Sequence, residues 1–260
     1  MSITELGNKK IAILGLGREG LSTLNFLKKH KIRCDILDVK TDKNYADKIK
    51  RYDIVFRTPG FPRLHPKLLA AEKRGTLVSS HIKLFFDLCP ANPHTKRGQA
   101  SGQIDEISPR YGVGAKIIGV TGTKGKTTTA FLIYKILKMK YKKSVFLAGN
   151  IGKPALEILP KLNKKSLVVL ELSSFQLQDL HKSPHIAVIT NITLDHMDPS
   201  GKFGPATHQT AKEYFYAKLN ILKHQNPGDF AVIHPSLKNK TINIGKGKKL
   251  YFDTLEYQSI

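Results

Sequence analysis

The sequence predicts an α/β protein built from two parallel sheets in succession. Aliphatic runs alternate with helical patterns along the chain, the signature of strand–helix–strand units. A glycine-rich turn opens a helix in each half, at GLGREG (Gly15–Gly20) and within GVTGTKGKTTT (Gly119–Thr129). Between them Pro90–Ala115 is rich in Pro, Gly, Ser and charge and lacks apolar periodicity, which reads as a linker or insertion. The expected architecture is an N-terminal Rossmann-like parallel-sheet domain over residues 1–113, followed by an incomplete P-loop ATPase-type central domain over residues 114–260.

Taken in order, Lys10–Leu14 is a short aliphatic strand that runs into the first glycines, and a helical pattern follows to about His30. Ile32–Asp38 and Asp53–Phe56 read as the next strands, the second ending at Thr58-Pro59-Gly60. Pro66–Arg74 reads as a helix closed by Gly75, and Leu77–Ser79 as a fourth strand. In the second half Lys116–Thr121 is a strand, Lys126–Lys140 a helix and Ser144–Ala148 a strand. Ser166–Leu172 and His185–Asn191 are further strands, Ala211–Lys223 a helix and Asp229–His234 a strand, after which the last unit reads as unfinished.

The 260 residues suffice for two modest domains, and 40% apolar content suffices for a core. The 43 basic and 20 acidic side chains give a net charge of +23. The excess is spread, with 21 basic and 11 acidic residues over 1–113 and 22 and 9 over the rest. Nucleic-acid binders concentrate their charge on one face or segment. No specific nucleic acid is therefore expected, whereas a general attraction for phosphorylated ligands is. The two cysteines, Cys34 and Cys89, form no CxxC or metal spacing, which points to the reducing cytoplasm. The start MSITELGNKK lacks a basic region followed by a long apolar stretch, so no leader is expected. No run approaches about 18 apolar residues, so no membrane span is expected.

GVTGTKGKTTT carries the strongest chemistry. Its glycines let backbone N–H groups close around phosphate oxygens, and the helix that follows adds its dipole. Lys126 is placed to reach the β- and γ-phosphates, and the Thr127 hydroxyl to meet Mg²⁺. The strict pattern needs glycine where Val120 stands, so this is a variant of the motif. The bland alternative is a flexible strand-to-helix turn. Glu171 ends the buried-looking strand of SLVVLEL, a position suited to a Mg²⁺ ligand beside a phosphate loop, though a strand-end carboxylate is commonly just surface. A third aliphatic strand leads into Asp195 and His196; a lone histidine there is ordinarily structural.

GLGREG fits G-x-G-x-x-G, and Asp38 ends the next strand 18 residues after the last glycine. That is the dinucleotide fingerprint, with Asp38 placed for a ribose hydroxyl. On this segment alone a nicotinamide enzyme leads. The same geometry serves any nucleotide diphosphate.

Together LGLGREGLS, Thr58-Pro59-Gly60, GVTGTKGKTT, AGNIGKPAL, LELSSFQL, NITLDHMD and YAKLNIL resemble the Mur ligases, and within them the D-glutamate-adding type. The resemblance covers nearly the whole chain outside 90–115. It implies that Gly15, Gly17, Arg18, Asp38, Thr58 and Gly60 hold UDP rather than NAD. It implies that Gly122, Thr123, Lys124, Gly125, Lys126, Thr127 and Thr128 hold ATP, and that Asn150, Ser173 and Gln176 line the muramoyl-alanine site. Thr127 and Glu171 would bind one Mg²⁺ and His196 a second. Lys218 matches a lysine that is carbamylated in the family, which would turn a cation into an anionic metal ligand; from the residues alone it is a surface lysine on a helix. Lys126, His196 and Lys218 are the implied catalytic residues.

The reaction implied joins D-glutamate to UDP-N-acetylmuramoyl-L-alanine through an acyl phosphate, in a monomeric cytoplasmic enzyme of peptidoglycan precursor synthesis. Phosphoryl transfer of this kind rests on positioning and charge neutralisation rather than on a protein nucleophile. Lys124 stands where the family often has Asn, and Pro199–Thr210 lengthens the stretch between His196 and Lys218. No motif matches the family's third domain, so the chain as given is expected not to complete the amide bond. Rival assignments are another Mur or folylpolyglutamate-type ligase, against which GNIG with SSFQL speaks, a non-catalytic ATP- and UDP-binding fragment, and a nicotinamide oxidoreductase, which leaves Lys126, Glu171 and His196 unexplained.

Overall fold

A computed structural model describes residues 1–89, 114–193, 208 and 210–252. The first sheet contains β1 (Ile11–Leu14), β2 (Asp35–Leu37), β3 (Ile54–Arg57) and β4 (Leu77–Ser80) in the order β2-β1-β3-β4, all parallel. IAIL of β1 and IVFR of β3 are buried along their whole length. Central strands of a parallel sheet lie under cover on both faces and therefore read as continuous apolar runs. The helices with this sheet are α1 (Ile3–Gly7), α2 (Arg18–Lys29), α3 (Pro66–Lys73) and α4 (His81–Leu88).

The second sheet comprises β5 (Lys116–Thr121), β6 (Val145–Gly149), β7 (Leu167–Glu171), β8 (Ile186–Ile189), β9 (Phe230–Ile233) and β10 (Lys248–Tyr251), in the order β10-β9-β8-β5-β7-β6, again all parallel. Its helices are α5 (Lys126–Tyr141), α6 (Ala155–Ile158), α7 (Ser174–Leu177), α8 (Ala211–Lys223) and α9 (Lys238–Thr241). Successive side chains of a strand face opposite ways. Ile117, Val168, Leu170, Ala187 and Ile189 accordingly enter the large core, which also holds Phe26 and Leu27 of α2 and Phe85 and Phe86 of α4. Ile118, Val120, Val169 and Val188 pack on the other side with Ala130 of α5. The two sheets thus share one hydrophobic core across their seam.

The expected strands appear within a few residues of their predicted limits. Several short elements were not anticipated, α1, α6, α7 and α9 among them, and three others bear on the fold. Helix α4 follows β4 without a loop, because Ser80 ends the strand and caps the helix, its hydroxyl accepting from Lys83 N–H. A 3-10 turn occupies Tyr45–Arg51. The second sheet does not stop at Asp229–His234, since β10 adds a sixth strand beside β9. Of the 90–115 stretch only 114 and 115 are described, and Ala115 is buried.

His81, at the start of α4, fixes part of the seam and is 2% exposed. The Thr23 hydroxyl donates to Glu19 O at 2.8 Å, which leaves its oxygen to accept from His81 Nδ1 at 3.1 Å, while Leu156 N–H donates to His81 Nε2 at 3.2 Å. These partners require a neutral ring with its proton on Nδ1. Burial, helped by the Arg18 charge, lowers the His81 pKa to about 3 from 6.5. The sign follows from linkage. Above 6.5 both folded and unfolded imidazoles are neutral and this stability is complete; below it only the unfolded ring takes up a proton. Stability should fall by up to roughly 1.4 kcal/mol per pH unit toward about pH 3. Urea unfolding at pH 7 and pH 5 on wild type and His81→Gln checks this: the variant should lose less between the two, and equal losses would count against the assignment.

Candidate functional site

The first-domain turn is shaped by steric necessity. Gly15 has φ 86°, and a Cβ there would lie 2.7 Å from Thr58 Oγ1. A Cβ on Gly20 would lie 2.1 Å from the carbonyl oxygen of Gly15. Only glycine lets α2 start this close to the turn. Thr58 closes the other side by donating its hydroxyl to Leu14 O at 2.6 Å. The result is a cleft of about 700 Å³ lined by Gly15, Gly17, Arg18, Asp38, Thr58 and Gly60, among others. It extends across the seam to Gly149 and Asn150.

Asp38 lines this cleft, and each of its oxygens accepts one backbone hydrogen bond. It accepts from Leu16 N–H at 2.8 Å and from Lys40 N–H at 2.9 Å. These two bonds, Lys40's first, hold its carboxyl below the usual range. One Asp38 oxygen thus helps to fix the glycine turn, and the other the chain just after β2.

The second turn opens α5. Gly122 has φ 150° and Gly125 φ 79°, and Gly125 caps the helix without a side-chain hydrogen bond. The first bond of this turn is Thr129 N–H to Gly125 O, so the N–H groups of Lys126, Thr127 and Thr128 have no partner within the helix. Bare amides at a helix N-terminus suit an anion. Lys126 Nζ lies against the loop, 2.8 Å from Thr123 O. Thr127 and Thr128 are exposed. A cleft of about 590 Å³ beside the loop is lined by Thr123, Lys124, Asn191, Thr193, His234 and Ser236.

Glu171 ends β7, and Asn150 follows its neighbour β6. The Asn150 backbone N–H donates to Glu171 O at 2.8 Å and its side chain donates to Glu171 Oε1 at 2.7 Å. Glu171 is 1% exposed, and its Oε2 is buried with no hydrogen-bond partner among the described residues. A buried carboxylate oxygen left unmatched is costly and fits a cation ligand. Ser173 and Gln176 stand two and five residues further on, joined in a capping box at the start of α7.

Lys218 departs from its bland expectation. It is 2% exposed, not on the surface, and donates from Nζ to Gly122 O at 2.8 Å beneath the phosphate loop. Its ammonium stands 4.6 Å from the ring centre of Tyr214, whose hydroxyl lies 2.9 Å from Thr123 Oγ1. As an ammonium Lys218 is a donor and cannot ligate a metal. His196 falls outside the described residues, and no group of three or more His, Cys, Asp or Glu suited to a metal occurs among the described residues.

Several residues of the site carried no signal in the sequence. Asn191 Oδ1 accepts from Thr123 N–H at 3.1 Å and Lys124 N–H at 2.9 Å, and Thr190 Oγ1 donates to Lys124 O at 2.6 Å, so β8's end holds the loop in shape. Tyr214 and Glu19 belong here too. Each is visible only once strands distant in sequence are set side by side.

The fold and site define an α/β protein of two parallel sheets, with a glycine-turn cleft reaching Asn150 and an uncapped phosphate-type loop opening α5. The chain belongs to the Mur ligase family, the Mur ligase middle domain matching residues 120–257. It is 34% identical over 272 residues to a UDP-N-acetylmuramoylalanine–D-glutamate ligase of Acetivibrio thermocellus, covering 95% of this chain and 51% of that protein. The corresponding ligase of Symbiobacterium thermophilum is 32% identical, over 87% of this chain and 47% of its own length. The chain thus spans about half the length of these curated relatives. A similar fold occurs in the crystal structure of UDP-N-acetylmuramate:L-alanyl-gamma-D-glutamyl-meso-diaminopimelate ligase from Neisseria meningitides, with TM-score 0.50 and 14% identity over 94% of this chain and 78% of that one. Among the described residues no helix is long and apolar enough to cross a membrane.

Proposed function

We propose that this chain supplies the UDP-sugar and ATP sites of a cytoplasmic, monomeric ligase that adds D-glutamate to UDP-N-acetylmuramoyl-L-alanine. Asn150 carries the proposal: it lines the first-domain cleft and its side chain donates to Glu171. A ligand whose diphosphate rests on Gly15–Gly17 and whose far end passes Asn150 would bring its carboxylate toward Glu171 and the phosphate loop. In this proposal Asp38, Thr58, Gly60 and Arg18 shape the UDP site, and Ser173 and Gln176 receive the muramoyl-alanine end.

On the ATP side, Lys126 and the amides of Lys126, Thr127 and Thr128 hold the phosphates of the nucleotide. Gly122, Thr123, Lys124 and Gly125 set the curvature that turns those amides inward. Thr127 and Glu171 would hold one Mg²⁺ and His196 a second; bound there, the metal neutralises phosphate charge. The alanine carboxylate oxygen attacks the γ-phosphorus, the bond to the β-phosphate oxygen breaks, and ADP leaves. The D-glutamate amine then attacks the acyl carbon, phosphate departs, and the nitrogen gives up a proton to leave the neutral amide. Such chemistry depends on holding reactants in contact.

Lys218 would act as a carbamate. Its ammonium loses a proton, the amine nitrogen bonds to the carbon of CO₂, a second proton leaves, and an anionic carboxylate replaces the cation. Burial beside Gly122 supports this placement, because a buried ammonium is costly and the loop it touches is the one that holds the metal-bound nucleotide.

The nicotinamide alternative leaves Lys126, Glu171 and His196 without a role. Calorimetric titration of the chain with ATP–Mg²⁺, UDP and NADH separates these readings. ATP and UDP should each bind at one site and independently, with UDP undisturbed by NADH. Displacement of UDP by NADH would overturn the assignment of the first cleft.

A further inference from the structure

Both charged residues of GLGREG reach past the first sheet's own elements. Arg18 donates across the seam to Asn150 O at 3.1 Å and to Gly152 O at 2.5 Å. Glu19 Oε1 accepts from the Gln176 side-chain amide. Gln176 is 2% exposed, and its own Oε1 accepts from Ser173 N–H at 2.8 Å. A buried carboxamide has one donor end and one acceptor end. With a carboxylate on one side and an N–H on the other, only one orientation satisfies both. Glu19 and the Ser173 N–H select it together, and Glu19 is the partner from across the seam.

Glu19 also lines the first-domain cleft, in the first turn of α2. A carboxylate next to a diphosphate site opposes anion binding, so its place there calls for another use. Burial raises its pKa, while the Gln176 hydrogen bond and the Arg57 and Arg18 charges lower it. The residue is thus held between the cleft on one side and the Ser173–Gln176 turn on the other.

We propose that Glu19 is a positioning residue that orients the Gln176 carboxamide across the domain seam, so that the far end of a UDP-linked carboxylate ligand is recognised only when the two domains are locked together. The inference rests on the reading of the cleft as a UDP-sugar site. It assigns Glu19 no contact with the reacting atoms.

The test compares the affinities of UDP and UDP-N-acetylmuramoyl-L-alanine by calorimetry on wild type, Glu19→Ala, Glu19→Gln, Gln176→Ala and the double variant Glu19→Ala/Gln176→Ala. The readout is the ratio of the two affinities, which general loosening of the fold would leave in place. Glu19→Ala should lower the ratio about tenfold, as loss of one oriented hydrogen bond does. Glu19→Gln keeps an acceptor oxygen for Gln176 and should stay within about threefold of wild type. Gln176→Ala should match Glu19→Ala, and the double variant should fall no further, because the two act as one unit. A ratio unchanged in Glu19→Ala, an equal fall in Glu19→Gln, or additive losses in the double variant overturns the proposal while leaving the cleft assignment standing. Absence of UDP binding to wild type removes the cleft assignment and this proposal with it.

Discussion

Lys126→Ala should lower ATP affinity by about a hundredfold or more, the equivalent of roughly 3 kcal/mol for one charge-assisted contact to phosphate, while UDP affinity stays near wild type. Lys126 is the first residue of α5 and its ammonium is held at the loop by Thr123 O. The nearby amides of Thr127 and Thr128 remain in the variant, so some attraction for phosphate persists. What disappears is the cation placed at the loop to meet the terminal phosphates. Lys124 does not replace it, because Lys124 is exposed and its backbone is tied to Asn191 and Thr190. The UDP cleft is built from a different turn and shares no residue with the phosphate loop. Calorimetric titration of both nucleotides on both proteins measures this, and equal ATP affinity in the two would falsify the phosphate-loop assignment.

Asp179→Ala should cost about 3 kcal/mol of folding stability, since it leaves a buried guanidinium without its counter-ion. Arg57 at the end of β3 is 2% exposed and Asp179 3%. Arg57 donates to Asp179 Oδ2 through Nε at 2.8 Å and through Nη2 at 2.6 Å, and to the carbonyls of Phe61 and Phe175 at 2.8 Å each. Arg63 adds a contact to Asp179 Oδ1 at 2.9 Å and pairs with Glu72. One carboxylate beyond the seam thus bridges Arg57 and Arg63, with Glu72 balancing the second guanidinium. The carbonyl partners of Arg57 survive the substitution, so the loss sits at the lower end of the range for a broken buried pair. For a chain of this size the melting temperature should fall by roughly 6–12 °C. Asp179→Asn keeps one acceptor but no charge and should lie between. Replacing Arg57 and Asp179 together by Met and Leu should recover part of the loss, because no buried charge is then left alone. Scanning calorimetry of the variants decides the matter; a double replacement as unstable as Asp179→Ala would show that the carbonyl contacts, not the ion pair, carry the stability.

Much of the fold was legible because parallel strands and their glycine turns leave local marks. β5 and α8 were expected at the limits they occupy, since each apolar period begins and ends at a sharp composition change. Helix α4 was not, because His81 continues directly from a strand and its eight residues are too few for a clear period. β10 was missed for a similar reason: KKLY is four residues long, puts one apolar side chain on each face, and is held by pairing with β9, not by its own pattern.

By itself the sequence determined two glycine turns, their strands, and the resemblance that assigned Gly15, Lys126 and Glu171 their places. A turn that admits no Cβ and a helix that needs a free N-terminus are local demands, met by residues adjacent in the chain. Tertiary structure alone decided the burial of Lys218 under Gly122, the bond of one Asp38 oxygen to Leu16 in the glycine turn, and the reach of Arg18 and Glu19 across the seam. Those outcomes depend on which polar group finds a partner once water is excluded. Such partners lie up to 157 residues apart, and no periodicity within either segment records that they will meet.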